Sequence, residues 1–215
     1  MIYVVGGIKG GSGKSTIATN LTVMLAQHSQ DVLLIDADDQ KTASDFSSFR
    51  SESMQGVIDY TLIQLSDKYV RDQTLKLQPK YKHIVIDTGG RDTSSQRAAI
   101  SIADAYLVPF APRSFDIWTL ENVIKLIEEM KIINPTIQSF SFINKADFRG
   151  QDNEEVAKFL RESEVLKFIN CPIGNRKSFP NASSQGLSIS EIRPQDKKAL
   201  EEFKKLFKFC INIKI

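Results

Sequence analysis

The stretch of sequence that decides the fold is MIYVVGGIKGGSGKST, residues 1–16. Its first part, residues 2–8, is a short apolar run that is typical of a buried strand. Gly10, Gly11 and Gly13 follow, and glycine lets a backbone wrap closely around phosphate oxygens with its N–H groups pointing inward. A helix that begins near Lys14 adds its positive end to the same place. The stretch therefore predicts a strand, a phosphate-binding loop and a helix in succession.

Polar residues in this loop are of the types that hold a nucleoside triphosphate and its metal. Lys14 is expected to pair with the β and γ phosphates, the Ser15 hydroxyl to coordinate Mg²⁺, and Thr16 to reach the α phosphate. Counted back from Lys14, the first glycine of the common GxxxxGK[ST] pattern falls on Ile8, so the sequence fits the variant form KGGxGK[ST] instead. The predicted nucleotide-binding residues in this stretch are Lys9, Gly10, Gly11, Ser12, Gly13, Lys14, Ser15 and Thr16.

Four further apolar runs predict buried strands at residues 32–35, 83–87, 105–110 and 139–143. Because stretches with helical spacing lie between them, the chain predicts an α/β fold with a doubly wound, mostly parallel sheet and helices on both faces. Ligands bind at the carboxyl ends of the strands in such sheets. We find no linker or repeat, so residues 1–215 are expected to form a single domain, with the polar, Ser-containing segment 44–56 as its least ordered part.

Composition excludes several classes of protein. A formal net charge of only +2 means that any nucleic-acid surface must come from local clusters of Lys and Arg. The two cysteines, Cys171 and Cys210, lack the spacing of a zinc site or a disulfide framework, which favours a reducing compartment. No apolar run approaches the roughly 20 residues of a membrane span, and the first run is too short for a signal peptide. The expected location is the cytoplasm.

Acidic residues follow two of the predicted strands, where they would face a bound phosphate. Asp38 is the candidate catalytic residue, because a carboxylate there can hold and polarise the water that attacks the γ phosphate. Asp36 is expected to contribute to the outer shell of the metal, and Asp87 to support Mg²⁺ through water. The predicted metal-binding residues are thus Ser15, Asp36 and Asp87, and Gly89 would allow the following loop to move.

The glycine loop with Lys9 before it resembles the deviant Walker A motif of the ParA/MinD ATPase family, a SIMIBI-type group of P-loop NTPases. Residues 36–40, DADDQ, resemble the DxDPQ stretch of ParA proteins, although Asp39 stands where proline is usual. In that family the lysine equivalent to Lys9 reaches phosphates bound by the other subunit. The resemblance therefore implies a homodimer that sandwiches ATP, with Lys9, Lys14 and Asp38 as catalytic residues and with ATP and Mg²⁺ as cofactors.

Residues 108–118 and 175–191 resemble segments of the small, ParF-like ParA proteins, with Arg113 where proline or glutamate is common. The glycine loop begins almost at Met1, without the helix-turn-helix extension of larger partition ATPases. The resemblance implies non-specific DNA binding by the ATP dimer, association with the nucleoid, and slow hydrolysis that is stimulated by a ParB-like or centromere-binding adaptor protein. The candidate DNA-binding residues are Arg149, Arg176, Lys177, Arg193, Lys197, Lys198, Lys204, Lys205 and Lys208.

Two alternatives concern the nucleotide and the surface that the protein binds. Asn144-Lys145-Ala146-Asp147 matches the NKxD guanine motif of GTPases, whereas in ParA-like proteins an asparagine at this point contacts adenine. We favour ATP and include Asn144 among the nucleotide-binding residues. The apolar face and the lysines of the last predicted helix, residues 196–210, suit packing on the core, contact with DNA or, as in MinD, a membrane surface. Residues 39–41 resemble ParA more than MinD, so membrane binding is not expected.

Overall fold

The computed structural model describes residues 1–28, 31–114, 117–147, 149 and 151–214. Its centre is an eight-stranded sheet in which every described pairing is parallel. The strand order is β3-β2-β4-β1-β5-β6-β7, with β8 beside the end of β6. The strands are β1 (Ile2–Val5), β2 (Val32–Ala37), β3 (Thr61–Gln64), β4 (His83–Thr88), β5 (Ala105–Phe110), β6 (Gln138–Ala146), β7 (Lys167–Phe168) and β8 (Ile173–Gly174).

Helices cover both faces of this sheet. Alternate residues of β1 point to opposite sides, so that Tyr3 and Val5 belong to one apolar cluster and Ile2 and Val4 to the other. The two clusters confirm the predicted doubly wound α/β fold. The described helices are α1 (Lys14–His28), α2 (Thr42–Ser53), α3 (Lys68–Leu77), α4 (Ser94–Ile100), α5 (Ile117–Ile133), α6 (Asp152–Arg161), α7 (Ser178–Ser183) and α8 (Lys197–Ile211).

The order of the strands reverses at β1, which lies between β4 and β5. Such a switch point opens a crevice at the carboxyl ends of the strands. Register places Asp87 of β4 directly beside Asp36 of β2 on one side and beside Val5 of β1 on the other. The fold therefore brings the predicted acidic residues to the same edge of the sheet as the glycine loop.

Segment 44–56 departs from its prediction, because most of it is helix α2 and not the least ordered part of the chain. Its serines are poor helix formers in isolation, but tertiary contacts outweigh that preference. Phe46 and Arg50 are buried, and the backbone N–H and hydroxyl of Ser44 both donate to a carboxylate oxygen of Asp36, at 2.8 and 2.6 Å. The sequence did not predict strands β3, β7 and β8. Each has at most four residues, which is too short to give a recognisable apolar run.

Helix α8 begins close to its predicted start, where the Asp196 side chain accepts a hydrogen bond from the Ala199 N–H at 3.0 Å. Its apolar face packs into the core, with Phe203, Leu206 and Cys210 each at most 1% exposed. The lysines at 197, 198, 204, 205 and 208 are exposed. Among the described residues, none of the helices has both the length and the apolar content needed to cross a bilayer.

Candidate nucleotide-binding site

The P-loop, residues 6–13, joins β1 to α1 and depends on glycine at two kinds of position. Gly11 and Gly13 have φ angles of 76° and 89°, in the left-handed region that side chains disfavour. At Gly13 a Cβ atom would also lie 2.3 Å from the side-chain nitrogen of Asn144, whereas a Cβ at Gly10 or Gly11 would meet nothing within 4 Å. The loop is thus compact where it rests on the protein and open where a phosphate group would lie.

A cavity of about 680 Å³ opens in front of this loop. Its walls are the P-loop, the start of α1, the segment after β2 that contains Asp38, and the segment after β4 that contains Gly89 and Gly90. The last of these segments approaches the P-loop closely, because a Cβ at Gly90 would lie 2.8 Å from the backbone of Gly10. Three of the strand ends therefore contribute to one crevice, as the sequence predicts.

Lys14 is the buried cation of the site, with only 6% of its surface exposed. Its ammonium group donates a hydrogen bond to the backbone carbonyl of Lys9 at 2.9 Å. Burial lowers the pKa of Lys14, and the nearby carboxylates of Asp87 and Asp38 partly oppose that effect. A lysine held at the first turn of a helix, next to a glycine loop with open space at Gly10 and Gly11, is suited to bind the terminal phosphates of a nucleotide.

Asp87 is fully buried, and neither of its carboxylate oxygens has a hydrogen-bond partner among the described residues. Burial raises the pKa of Asp87 to about 8, and the negative charges of Asp36 and Asp38 add to that rise, while Ser15 and Lys14 oppose it. A buried carboxylate without partners is costly to the fold. This orphaned group, with the Ser15 hydroxyl beside it, is a good fit for a cation.

The donor set favours Mg²⁺ bound together with a nucleotide. No group of three or more metal-ligating His, Cys, Asp or Glu side chains occurs within the described part of the chain, so a cage made only of protein is absent from it. Mg²⁺ is commonly held by one or two protein oxygens together with phosphates and water. Asp87 and Ser15 can supply those protein oxygens, and their predicted metal-binding roles remain predictions.

Asp36 has a different environment from Asp87, although the two lie side by side. One of its oxygens accepts both hydrogen bonds from Ser44, and the other accepts a bond from the Asp38 N–H at 3.2 Å. The carboxylate lies where the first turn of α2 begins and so complements the positive end of that helix. Its contacts fix the segment after β2, while its predicted outer-shell role toward the metal remains a prediction.

Asp38 lies on the wall of the cavity opposite the P-loop. One of its oxygens accepts a hydrogen bond from the Gln40 N–H at 3.1 Å, and its backbone carbonyl accepts one from Lys41, whose φ is 54°. The same oxygen lies 3.1 Å from where a Cβ of Gly89 would be, so the carboxylate faces the segment after β4. This position is compatible with holding a water near a terminal phosphate.

Asn144 and Lys145, at the end of β6, support the P-loop from its other side. The amide nitrogen of Asn144 donates to the Ser12 carbonyl at 2.7 Å, and the ammonium group of Lys145 donates to the Gly11 carbonyl at 2.7 Å. Lys145 has a φ of 56°, which turns its side chain toward the loop. The predicted contact between Asn144 and adenine remains a prediction, since the described contact is with the backbone.

Some contacts that shape the site have no signal in the sequence. The buried side chain of Gln96, on α4, bridges Gly7 of the P-loop and Thr88 at the end of β4. The segment 186–191 is fixed by Asn20 of α1, whose side-chain oxygen accepts from the Ile189 N–H at 2.7 Å, and by Arg50 of α2. Apart from the contact with Thr88, these pairs are 89 to 169 residues apart in sequence and belong to no short motif.

Among the candidate DNA-binding residues, two arginines are engaged within the molecule. Arg176 forms two hydrogen bonds with Glu202, at 2.6 and 3.0 Å, and Arg193 donates to backbone carbonyls of residues 190–192. The remaining candidates are exposed, and their roles toward DNA stay predictions. They are Arg149, Lys177, Lys197, Lys198, Lys204, Lys205 and Lys208.

The parallel sheet, the glycine loop at its switch point and the buried Lys14 and Asp87 define a P-loop nucleotide-binding protein. The family model described as the CobQ/CobB/MinD/ParA nucleotide-binding domain matches residues 3–189. The chain belongs to this family, which confirms the resemblance to ParA/MinD-type ATPases. Members of this group are nucleotide-binding ATPases that act in positioning or partition.

Relatives and solved structures extend this similarity over nearly the whole chain. Maintenance of carboxysome distribution protein A of Halothiobacillus neapolitanus is 25% identical over 204 residues, which cover 94% of this chain and 92% of the relative. The structure of a Cyanothece McdA variant in complex with ATP has a TM-score of 0.80 at 19% identity and covers 100% of this chain and 97% of that one. The Pyrococcus furiosus cell division ATPase MinD gives 0.75 at 18% identity, covering 98% of each chain.

Proposed function

We propose that this chain is a ParA-type ATPase that dimerises over ATP and Mg²⁺, binds DNA without sequence preference as a dimer, and releases the DNA on hydrolysis. Through that cycle it partitions or positions a plasmid, a chromosome or another cargo. The observation that carries the proposal is the position of Lys9. Its backbone carbonyl accepts a hydrogen bond from the buried Lys14 ammonium group, and its backbone lies against Gly90, whose segment lines the phosphate cavity.

The residues of the cavity divide the work of hydrolysis. Backbone N–H groups of the P-loop and the Lys14 ammonium group bind and orient the phosphates. Asp38 orients the attacking water, in the way that a positioned side chain does in other phosphoryl-transfer enzymes. Mg²⁺, when bound, neutralises charge that develops on the phosphates, and Ser15 and Asp87 are the residues that would hold it.

Turnover is expected to be slow without a partner. The hydrogen bonds of Asp38 hold its carboxylate to its own segment, so a ParB-like or cargo-adaptor protein would complete the geometry for attack. The MinD-like alternative, in which α8 lies on a membrane, is disfavoured because the apolar face of α8 is already buried in the core. The exposed lysines of that helix are better suited to nucleic-acid phosphates.

Dimerisation is tested by Lys9→Ala. The variant is expected to bind ATP within a few-fold of the wild type, because Lys14 and the backbone N–H groups remain, but to stay monomeric with ATP and Mg²⁺. Sedimentation velocity with a slowly hydrolysed ATP analogue measures the dimer fraction. Lys80→Ala is the matched control, since Lys80 is exposed and lies before β4, at the opposite end of the sheet from the P-loop. If the Lys9→Ala variant still forms dimers with the ATP analogue, Lys9 does not have the proposed role across the subunit interface.

DNA binding is tested by replacing three exposed lysines of α8 together, Lys204, Lys205 and Lys208, with alanine. Loss of two or three phosphate contacts is expected to weaken DNA binding by about 10- to 100-fold near physiological salt. The slope of the logarithm of the binding constant against the logarithm of the salt concentration is expected to become less negative by roughly 0.9 per lost contact. Co-sedimentation of DNA with the ATP-bound dimer at several salt concentrations measures both the affinity and its salt dependence. A variant with Lys76, Lys80 and Lys82 replaced has the same net charge, and equal weakening in the two variants would contradict a specific role for α8.

A further inference from the structure

The four residues that match the NKxD pattern form one support for the nucleotide site. The first three are the last residues of β6, at the carboxyl edge of the sheet, and two of them, Asn144 and Lys145, donate hydrogen bonds to the Ser12 and Gly11 carbonyls of the P-loop. The fourth, Asp147, lies two residues beyond Lys145 on the same segment. In a site of this form, a carboxylate at the fourth position is the group that distinguishes one purine base from another, so its surroundings bear directly on nucleotide selectivity.

The side chain of Asp147 is held by two donors. Its Oδ2 accepts a hydrogen bond from Arg113 Nη2 at 2.6 Å, and its Oδ1 accepts one from the Arg149 N–H at 3.1 Å. Its main chain is fixed by Asn153, which accepts from the Asp147 N–H at 3.1 Å and donates to its carbonyl at 2.8 Å. The Arg149 N–H and the Arg113 guanidinium together lower the pKa of Asp147, which keeps it ionised.

Guanine and adenine differ in what they offer to such a carboxylate. Guanine has N–H donors at both N1 and N2, which match the two oxygens of an aspartate, whereas adenine offers an acceptor at N1 and no exocyclic donor at C2. An aspartate that is free to accept from both N–H groups therefore favours guanine. Where it is not free, those N–H groups lose water without gaining a partner, which is costly. Arginine has five donors and no acceptor, so it occupies the carboxylate and cannot itself accept from guanine.

We propose that Arg113 is a specificity-determining residue that engages the Asp147 carboxylate and so disfavours guanine nucleotides at this site. The NKAD segment then supports the P-loop through Asn144 and Lys145, without reading guanine as the GTPase motif that it matches would. Arg113 lies three residues beyond the end of β5, in a short 3₁₀ turn, and β5 pairs with β6, which explains how it reaches Asp147. The inference rests on the proposed function in one respect, that ATP is the nucleotide used.

The experiment measures equilibrium binding of fluorescent ATP and GTP derivatives, with Mg²⁺, to four proteins: wild type, Arg113→Ala, Asp147→Asn and the double variant. Arg113→Ala is expected to raise GTP affinity about three- to fivefold, the most that an ion pair with a 71% exposed arginine side chain can oppose, while ATP affinity changes less than about 1.5-fold. In the double variant the increase in GTP affinity is expected to disappear, because the amide nitrogen of asparagine at position 147 faces the N–H donors of guanine with another donor. Arg71→Ala, which removes an exposed charge on α3, is the matched control for net charge.

The ratio of the two affinities is the readout, since a general change in charge or stability shifts both nucleotides alike. An unchanged ratio in Arg113→Ala, or a GTP gain that survives in the double variant, would overturn the role of Arg113. A wild-type protein that itself prefers GTP would instead contradict the proposed ATPase function. The two failures are therefore distinguishable within one set of titrations.

Discussion

Replacing Asp87 with asparagine is expected to stabilise the nucleotide-free protein and, at the same time, to reduce ATP hydrolysis at least about 100-fold. The carboxylate is fully buried without a hydrogen-bond partner among the described residues, and its raised pKa reflects that cost. An amide of the same shape is uncharged, so the folded protein no longer bears the cost of protonating the carboxyl group or burying its charge, which is roughly 2 kcal/mol, or about 4–8 °C in a domain of this size. It also removes the proposed anchor for Mg²⁺, on which phosphoryl transfer depends.

Two measurements separate these effects. Thermal unfolding without nucleotide gives the stability change, and the additional shift with ATP and Mg²⁺ reports the binding that is lost. Asp39→Asn is the matched control, because Asp39 is an exposed carboxylate on the wall of the same cavity. If the Asp87→Asn protein unfolds at a lower temperature than the wild type, or keeps its full Mg²⁺-dependent stabilisation by ATP, Asp87 does not have the role assigned to it.

Removing the carboxylate of Glu191 is expected to destabilise the protein far more than a typical substitution near the surface does. Arg50 is fully buried and donates to both Glu191 oxygens, at 2.8 and 2.9 Å, to the Gly186 carbonyl at 3.1 Å, and to Asp59 at 3.2 Å. Glu191→Ala leaves the guanidinium with one charged partner that is half exposed. Breaking a buried pair in this way costs about 3–5 kcal/mol.

Urea unfolding at neutral pH measures that loss, with Glu52→Ala on the exposed side of α2 as the control. A second variant, Arg50→Met with Glu191→Leu, is expected to recover much of the stability, because it removes both charges at once. If the double variant is no more stable than Glu191→Ala, the cost arises from packing and not from an unpaired charge.

The stability that the Arg50–Glu191 ion pair contributes depends on pH, and the direction of that dependence follows from the pKa of Glu191. Burial alone would raise the pKa of Glu191, but hydrogen bonds from Arg50 and Ser188 outweigh burial, and the pKa is lower in the folded protein than its ordinary value of 4.5. The stability that the ionised group contributes is therefore fully present above pH 4.5 and is lost as the pH falls through the folded value. The difference between wild type and Glu191→Ala is expected to narrow below that pH.

Much of the fold could be predicted because its signals are local. Buried strands appear as short apolar runs, and the P-loop as a fixed spacing of glycines before Lys14, so the parallel sheet and the position of the site at its carboxyl edge follow from general rules. The first strand ends at Val5 and not at Ile8, since the chain turns into the loop at Gly7, whose φ is 145°. Boundaries of this kind depend on backbone geometry that composition does not specify.

The parts that sequence did not predict are those that depend on distant partners. Helix α2 forms because Asp36 holds Ser44 and because Arg50 meets Glu191, which lies 141 residues away. Gln96 reaches the P-loop only because α4 packs against β4, the neighbour of β1 in the sheet. The NKAD segment shows a further limit of local patterns, because its match to the guanine motif contains no sign of Arg113, which reaches Asp147 from beyond the end of another strand.

The bond between Asp36 and Ser44 also limits how hydrolysis can be switched on. Asp38 lies in the seven-residue segment 37–43, between these two residues. The hydrogen bonds from Ser44 to the Asp36 carboxylate close that segment into a loop. Because Asp36 is part of β2 and Ser44 is part of α2, sliding α2 along the sheet would break these two hydrogen bonds, which therefore hold the segment with Asp38 in place. If a partner protein stimulates hydrolysis, as we propose, it is therefore expected to contact residues 37–43 themselves, at the mouth of the crevice and not on the outer flank of α2.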